Sequence, residues 1–401
     1  MNVPKLRFPE FEGEWEKQPI GNFIDLLSGY AFKGEEISED SDGKPLLRGI
    51  NISEGYIRHN AEIDRYYTGN FTKLIKYLLK EGDLVIGMDG SKVGKNVALI
   101  SKENENSLLI QRVARIRSNG SADIRYIYQQ IFSSSFTSYV DIVNTSSGIP
   151  HISAQQIKDF IIGFPILEEQ TKIASFLTAA DDKLTQLKKK KSLLEEYKKG
   201  VMQQIFSQEL RFKDDNGEDF PEWEEKRLGE LVEVKAEKYN PEKEKVSYKC
   251  IELEHLATGV GQLLGYVDSL NSGSIKNKFK KGDVLFGKLR PYLKKYLRAP
   301  FNGVCSSEIW VLKGKEVLNE FLYIMIQTDY FAALANQSTG SKMPRADWGV
   351  LSDSIFSYPS LPEQTKIANF LSAIDEKINH CSKQIERMEE WKKGLLQQMF
   401  C

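Results

Sequence analysis

One stretch of 42 residues occurs twice in this chain, and the repeat constrains the fold more than any other feature. Residues 165–206 and 359–400 align without a gap at a constant shift of 194 residues, with 22 identical positions. Two motifs occur in both copies: Pro-x-Leu-x-Glu-Gln-Thr-Lys-Ile-Ala-x-Phe-Leu near the start and Lys-Lys-Gly-x-x-Gln-Gln-x-Phe at the end. Agreement over this length indicates a tandem repeat of one large unit.

Each copy has the apolar pattern of one long helix. In the first copy Ile173, Ala180 and Leu187 recur every seven residues, whereas Lys191 and Lys198 interrupt the companion row. Apolar residues spaced alternately three and four apart predict the narrow seam of a coiled coil. We expect the two helices to pack on each other in antiparallel orientation. Two core helices of separate domains are the alternative.

The repeat continues more faintly outside the helices. Leu6-Arg7-Phe8 is echoed by Leu210-Arg211-Phe212, so each unit consists of a lead-in segment, a globular domain and a long helix. The sequence predicts an α+β protein with an internal pseudo-twofold repeat. Two similar globular α/β domains are separated by two long helices packed as an antiparallel coiled coil. The expected boundaries are 1–163 and 208–358 for the domains, and 164–207 and 359–401 for the helices.

Short apolar runs bounded by turn residues predict the secondary structure within each domain. In the first domain we expect strands at 46–52, 83–87 and 97–100 and a helix at 125–136. In the second we expect strands at 249–253 and 282–286 and a helix at 319–335.

Composition narrows the classes of function. The net charge of −1 does not indicate a polyanion partner for the whole molecule, so a nucleic-acid site needs a local basic face. The four cysteines are scattered without a Cys-x-x-Cys pair and the four histidines do not cluster, so we expect no metal site. The N-terminus has no apolar signal-peptide core, and a reduced, cytoplasmic environment is the simplest interpretation.

Catalytic motifs are missing as well. The chain contains no Pro-Pro dipeptide, which an amino-methyltransferase loop needs, and no Pro-Asp dipeptide of a restriction-type nuclease. The segment 90–96 resembles a phosphate-binding loop but has three residues between its glycines instead of four, and Asn96 follows the lysine. We therefore expect a non-catalytic protein.

The doubled helix motifs, together with Gly287-Lys-Leu-Arg-Pro-Tyr-Leu-Lys-Lys295, resemble the specificity subunit of type I restriction–modification systems over essentially the whole chain. The resemblance implies two target recognition domains, each binding one half of a split double-stranded DNA target. It implies that the helices set the gap and dock two modification (methyltransferase) subunits and restriction subunits. S-adenosylmethionine, ATP and magnesium would belong to those partners, with no cofactor in this chain and no membrane partner. The alternatives are a self-contained methyltransferase or nuclease, against which the missing motifs argue, and a structural adaptor without DNA binding.

Basic residues, with an aromatic side chain or small polar groups on nearby turns, are the candidates for DNA contact, because arginine and lysine bind phosphates and guanine edges. The candidates are Arg48, Lys92, Lys95, Ser146, Ser147, His151, Lys288, Arg290, Tyr292, Lys294, Lys295, Thr339, Ser341, Lys342 and Arg345. Solvated lysines and ordinary turn chemistry are the competing interpretation of the same residues.

Polar and aromatic residues kept at matched positions of the two helices are the candidates for docking partner subunits. They are Gln170, Lys172, Phe176, Lys199, Gln203, Gln204, Phe206, Gln364, Lys366, Phe370, Lys393, Gln397, Gln398 and Phe400.

Overall fold

The computed structural model of the chain describes residues 3–144, 148–271, 273–337 and 343–400. The chain forms two compact units: unit 1 comprises Met1–Lys188 and Lys383–Cys401, and unit 2 comprises Lys189–Ser382. Each unit therefore contains one domain, the first half of the long helix that follows it and the second half of the other long helix.

Unit 1 contains short strands and helices around its core. The strands are β1 Glu16–Pro19, β2 Ile24–Ser28, β3 Ile37–Ser38, β4 Lys44–Leu47, β5 Ile52–Ser53, β6 Tyr56–Ile57, β7 Tyr66–Tyr67, β8 Leu84–Gly87, β9 Val97–Leu99, β10 Leu108–Leu109, β11 Val113–Ser118 and β12 Ile161–Phe164. The helices are α1 Ile124–Ile131, α2 Ser134–Val143, α3 Ala154–Lys158 and the first half of α4 Leu167–Phe206.

Unit 2 has a closely similar series of elements. The strands are β13 Glu224–Arg227, β14 Val232–Glu233, β15 Lys238–Tyr239, β16 Lys249–Ile251, β17 Val267–Asp268, β18 Lys276–Phe279, β19 Val284–Gly287, β20 Tyr296–Arg298, β21 Gly303–Cys305, β22 Ile309–Gly314 and β23 Ile355–Tyr358. The helices are α5 Leu228–Leu231, α6 Asn319–Met325, α7 Asp329–Ala335, α8 Trp348–Asp353 and the first half of α9 Leu361–Met399.

The first sheets of the two units have matching strand orders. Unit 1 has an antiparallel sheet in the order β2-β11-β8-β9, and unit 2 has β14-β22-β19-β20. A second sheet in each unit contains one parallel pair, β4 with β10 and β16 with β21. The first strand of each domain pairs with the strand before the long helix, β1 with β12 and β13 with β23. The repeat therefore extends to the first sheet and to the strand pair beside the long helix, whereas the second sheets differ, with four strands in unit 1 and five in unit 2.

The turn before each central strand is built in the same way twice. The buried carboxylates of Asp83 and Asp283 accept from the amides of Lys80 and Lys280, each at 2.8 Å. The residue before each aspartate is a glycine with a φ of +82° in unit 1 and +90° in unit 2. Only glycine adopts this conformation without strain, so the turn fixes where β8 and β19 begin.

Long helices pack in antiparallel orientation inside each unit. In unit 1, Ile173 near the start of α4 belongs to the same core as Met399 near the end of α9, and Phe176 lies 5.9 Å from Trp391, ring to ring. In unit 2 the second half of α4 packs on the first half of α9 with buried side chains from both helices, among them Val201, Ile205, Ile367 and Leu371. The seam predicted from the sequence is confirmed in both places.

Three predicted elements are wrong, because the structure interrupts each of them. The predicted strand 46–52 is interrupted by a 3-10 turn at Gly49–Asn51. The predicted helix 125–136 ends before Ser133, whose hydroxyl caps a second helix by accepting from the amide of Phe136. Thr328 divides the predicted helix 319–335 in the same way. Serine and threonine favour this capping role over a helix interior, which explains both breaks.

Candidate functional site

In unit 1 the turn after β8 lies against the segment before α3. The amide of Met88 donates to the carbonyl of Arg112 at 2.9 Å, and the amide of Gly90 donates to Pro150 at 3.0 Å. The amide of Ile152 donates back to Met88 at 2.9 Å. The fold thus joins three segments that are remote in sequence. Junction 1 is the name used below for residues 88–96, Arg112 and 148–152.

Unit 2 repeats this arrangement after β19. The amide of Lys288 donates to Glu308 at 2.9 Å, and the amide of Arg290 donates to Pro344 at 2.8 Å. The amide of Ala346 donates back to Lys288 at 2.8 Å. Junction 2 is the name for residues 288–295, Glu308 and 343–346. The two junctions share a backbone frame and carry different side chains, an arrangement that suits two related sites for different ligands.

A carboxylate organises the side chains of junction 1. Asp89 is largely buried and accepts from Nη1 of Arg112 at 2.5 Å, while its other oxygen contacts Nδ1 of His151. The Arg112 side chain remains 68% exposed in spite of this ion pair. Asp89 therefore holds one nitrogen of the Arg112 guanidinium, and most of the side chain faces solvent.

The remaining candidates of unit 1 are less constrained. Lys92 is exposed and lies 3.5 Å from Glu54, a distance typical of a weak surface pair. Lys95 is exposed, and its ammonium has no hydrogen-bond or ion-pair partner in the described part of the chain. Ser146 and Ser147 lie outside the described residues.

Junction 2 is richer in cations. Glu308 pairs with both Nε and Nη2 of Arg345, at 3.1 and 3.3 Å. Lys288 is half-buried, whereas Arg290 is exposed and adopts a left-handed backbone conformation with φ of +51°. Tyr292 is 56% exposed beside them. The structure thus brings the predicted basic-aromatic loop close to Arg345, which follows the predicted late turn.

Lys294 lies at the far end of this loop, 3.3 Å from Asp329, again with a left-handed φ of +47°. The predicted contacts Thr339, Ser341 and Lys342 lie outside the described residues.

Two further predicted DNA contacts donate to backbone carbonyls of their own domain. Nζ of Lys295 donates to the carbonyl of Leu253 at 2.6 Å, and Nη1 of Arg48 donates to Ile63 at 3.2 Å. Both side chains are partly buried, and Arg48 lies at the end of β4, outside junction 1. Their ammonium and guanidinium groups would have to exchange these bonds to reach a ligand.

Sequence reasoning missed Arg112. It lies in the turn before β11, without a motif around it, and only the fold places it beside Asp89 and His151. The corresponding position of junction 2 is Glu308, which pairs with Arg345 instead. Each junction therefore contains an ion pair, but the pairs differ, because Asp89 corresponds to Leu289 and Arg345 corresponds to His151.

Among the candidates for docking, the two glutamines near the start of the long helices are buried. Gln170 is 2% exposed, and its amide group accepts from the amide of Asp123 at 3.1 Å and donates to Pro165 at 2.9 Å. Gln364 makes the matching pair of bonds in unit 2, at 2.9 and 2.8 Å. Each glutamine ties the start of its long helix to the preceding domain.

The neighbouring glutamates also bind side chains of their own unit. Glu169 is fully buried and accepts two hydrogen bonds from Arg7, both at 2.8 Å. Glu363 accepts from Arg211 at 3.3 and 2.9 Å. These bidentate pairs fasten each lead-in segment onto the start of a long helix, which explains why Leu-Arg-Phe and Glu-Gln both recur.

A lysine and an aspartate join the long helices of unit 1. Nζ of Lys392 contacts Asp181 at 2.5 Å and lies 4.7 Å from the centre of the Phe132 ring. Gln129 donates to the same carboxylate at 2.9 Å. Burial raises the pKa of Tyr128 and the Asp181 charge adds to the rise.

Unit 2 contains the equivalent pair at the positions shifted by 194 residues. Nζ of Lys198 donates to Asp375 at 2.7 Å and to Gln327 at 2.9 Å. Burial raises the pKa values of Tyr296 and Tyr323, and the Asp375 charge contributes to both. Lys198 interrupts the apolar row of the helix because it makes this ion pair.

The other docking candidates divide by exposure. Lys172 pairs with Glu10 and lies 4.8 Å from the Phe8 ring, and Lys366 pairs with Asp215 at 2.7 Å. The repeated aromatic residues pack on rings of their own unit, and these are Phe176, Phe206, Phe370 and Phe400. Lys172 and Phe176 are exposed as well, and the remaining exposed positions are Lys199, Gln203, Gln204, Lys393, Gln397 and Gln398.

Part of this exposed set lines a cavity in unit 2. The cavity has a volume of about 650 Å³ and lies between the second half of α4 and the domain. Lys199, Gln203 and Phe206 form one wall, and Tyr330 and Val260 lie on the other side.

Two absences hold for the described part of the chain. Its His, Cys, Asp and Glu side chains form no group of three or more suited to a metal ion. No helix within these ranges is long and apolar enough to cross a membrane.

Comparison with known proteins decides the family. The family described as the type I restriction modification DNA specificity domain matches the chain twice, at residues 12–196 and 221–390. The chain belongs to this family. The type I restriction enzyme MjaVIII specificity subunit of Methanocaldococcus jannaschii is 25% identical, over 98% of this chain and 92% of that protein. The EcoAI specificity subunit of Escherichia coli is 32% identical over 40% of this chain and 27% of that protein.

Solved structures agree at the level of fold. The crystal structure of a type I restriction–modification S subunit from M. genitalium superposes with a TM-score of 0.64 and 17% identity, over 100% of this chain and 99% of that one. A chain from a structural study of complex assembly and conformational transition of the type I system gives a TM-score of 0.51 at 13% identity, over 96% and 97%. As a member of the specificity family, this type I specificity chain serves DNA recognition and is not the catalytic component.

Proposed function

We propose that this specificity chain binds a split DNA target through its two junctions, with junction 1 on one half and junction 2 on the other. The observation that carries the proposal is the repeated backbone frame, because the same hydrogen bonds present different side chains in each unit. Two similar scaffolds with different surfaces suit one kind of ligand with two different sequences. Duplex DNA presents such sites at fixed separation.

The charge distribution supports this assignment. The whole chain has a net charge of −1, so a general affinity for phosphates is not expected. Cations concentrate locally in junction 2 at Lys288, Arg290, Lys294 and Arg345. Tyr292 adds an exposed ring between them. Local positive charge on a nearly neutral molecule favours binding at the junctions, with much of the phosphate contact left to partner subunits.

The junction residues divide into positioning and reading groups. Lysines on turns, such as Lys92, Lys95 and Lys294, suit phosphates because a phosphate contact requires only a positive charge at close range. Arginines fixed in direction suit base edges, which need two hydrogen bonds at set positions. His151 and the serine and threonine donors of the late turns complete the proposed contact set.

The long helices would set the gap between the half-sites and dock the partners. At about 1.5 Å per residue, α4 is roughly 60 Å long. The exposed repeated residues Lys199, Gln203, Lys393 and Gln397 occur at matched positions, so they would present two similar faces to two modification subunits. Restriction subunits would join the same complex.

Catalysis and cofactors would belong to those partners. The modification subunits would supply S-adenosylmethionine, and the restriction subunits would supply ATP and magnesium chemistry. The target adenine would leave the base stack to reach the methyltransferase, so distortion of the duplex is expected in the full complex.

Charge reversal tests the DNA assignment. The variant Lys288→Glu with Arg290→Glu would be purified with the modification subunit and compared with wild type for assembly and for binding to target and non-target duplexes. We expect normal assembly with loss of sequence-selective binding. Unchanged selectivity would contradict the proposal and leave the adaptor function, in which the chain only joins proteins.

A further inference from the structure

Left-handed backbone occurs at five residues other than glycine in the described part of the chain: Asn106, Arg112, Gln208, Arg290 and Lys294. Asparagine tolerates this conformation, and Gln208 follows the end of α4, where a left-handed residue commonly terminates a helix. Lys294 follows the 3-10 turn Pro291–Leu293 in the same way, so its conformation has a local explanation. The remaining two residues are arginines, one in each junction.

For Arg290 the conformation is unfavourable on two counts. A side chain with a Cβ is strained at a φ of +51°, and the next residue is Pro291, which favours extended backbone before it. The equivalent residue of junction 1 is Gly90, with a φ of +100°, and a Cβ there would meet no atom within 4 Å. Glycine is thus the relaxed residue at this position, and Arg290 occupies it with strain.

Arg112 is the comparable residue of junction 1. Its φ is +66°, and Asp89 fixes the guanidinium through Nη1 alone while 68% of the side chain stays exposed. The guanidinium of Arg290 has no hydrogen-bond or ion-pair partner in the described part of the chain and is exposed. Each junction therefore presents one arginine whose direction the backbone sets and whose donors are available.

Strain at an exposed arginine indicates that the side chain has a task there. A phosphate contact does not require a fixed side-chain direction, because a flexible lysine can bind a phosphate from many directions. A guanine contact does require a fixed direction, since O6 and N7 of the base accept two hydrogen bonds from one guanidinium in a fixed plane. We infer that Arg112 and Arg290 are the specificity-determining residues that each read one guanine, so that both half-sites contain a guanine. The inference rests on the proposed function.

The test uses the chain purified with its modification subunit and the target obtained from wild-type methylation. Each guanine of the target duplex is replaced in turn by 7-deazaguanine, which keeps Watson–Crick pairing and lacks the N7 acceptor. We expect one guanine per half at which the replacement weakens wild-type binding about tenfold, within the discrimination of about 5- to 150-fold typical of a bidentate pair.

The substitutions then assign the residues. Arg290→Gly should weaken binding to the parent duplex and abolish the effect of 7-deazaguanine at one position in one half only, and Arg112→Gly should do so in the other half. Gln208→Gly is the matched control, because it removes a left-handed side chain outside both junctions and should leave the whole profile unchanged. The melting temperature of Arg290→Gly should equal or exceed that of wild type, since glycine relieves the strain. Arg112→Gly also removes the ion pair with Asp89, so its melting temperature is measured to confirm that the variant is folded.

Arg290→Lys distinguishes guanine from phosphate. If the arginine binds a phosphate, lysine restores parent binding and every 7-deazaguanine effect persists, which overturns the inference. An unchanged profile in Arg112→Gly and Arg290→Gly overturns it as well. A wild-type complex that shows no split target at all contradicts the proposed function itself, and the inference falls with it.

Discussion

At the scale of residues, the ion pair of Glu169 and Arg7 holds the lead-in segment of unit 1 on the start of the long helix. The Glu169 side chain is 1% exposed and receives both hydrogen bonds from one guanidinium. Removing one member of a buried pair costs about 3–5 kcal/mol, because the buried guanidinium loses this carboxylate as its counter-charge. Glu169→Ala should therefore lower the free energy of unfolding by that amount in chemical denaturation.

Glu168→Ala is the control, since Glu168 is exposed in the same helical turn. Its effect should stay within about 0.5 kcal/mol, as for most surface substitutions. Equal effects of the two substitutions would show that the pair does not fasten the lead-in segment.

The sequence predicted the basic loops but not how their residues are used. Arg290 and Tyr292 were found because they lie in one motif, whereas Arg112 was not, since its neighbours come from distant parts of the chain. Lys295 looks equivalent to Lys294 in sequence but bonds to the carbonyl of Leu253. Long-range contacts of this kind depend on the fold and have no local signal.

At the scale of elements, the lysine–aspartate pairs give each antiparallel helix pair a defined register. Lys392 is buried against Asp181, where apolar side chains alone would allow the helices to slide. Asp181→Ala should destabilise unit 1 by about 2 kcal/mol or more, because it leaves a buried ammonium unpaired.

The double variant Asp181→Leu with Lys392→Met removes both charges together and should unfold within about 1 kcal/mol of wild type. Asp182→Ala, at the exposed neighbouring position, is the matched control. The free energies of unfolding of wild type and the three variants are measured by chemical denaturation. A double variant as unstable as Asp181→Ala would show that the ion pair itself contributes to stability beyond avoiding an unpaired charge.

Helix periodicity predicted the long elements well and the short ones less well. The heptad seam through Ile173 and Leu187 is buried, as expected from forty residues of consistent spacing. The breaks at Ser133 and Thr328 were missed because one hydroxyl decides them, and a window average does not detect a single cap.

At the scale of the whole molecule, the repeat predicts that the two domains are exchangeable. Each domain is fastened by the same contacts, a buried glutamine and a glutamate–arginine pair at the start of its long helix. Replacing residues 1–163 with the corresponding domain of another family member should keep assembly and change one half of the DNA target. Native mass spectrometry of the complex and methylation mapping measure the two outcomes. A change in both halves would contradict independent domains.

The most direct measurement of the central claim is single-molecule sequencing of methylated adenines in cells that express this chain with its modification subunit. The account predicts a split motif, with two short specific halves and an unspecified gap of fixed length. A stable complex that methylates one continuous site, or that methylates without sequence preference, would contradict it.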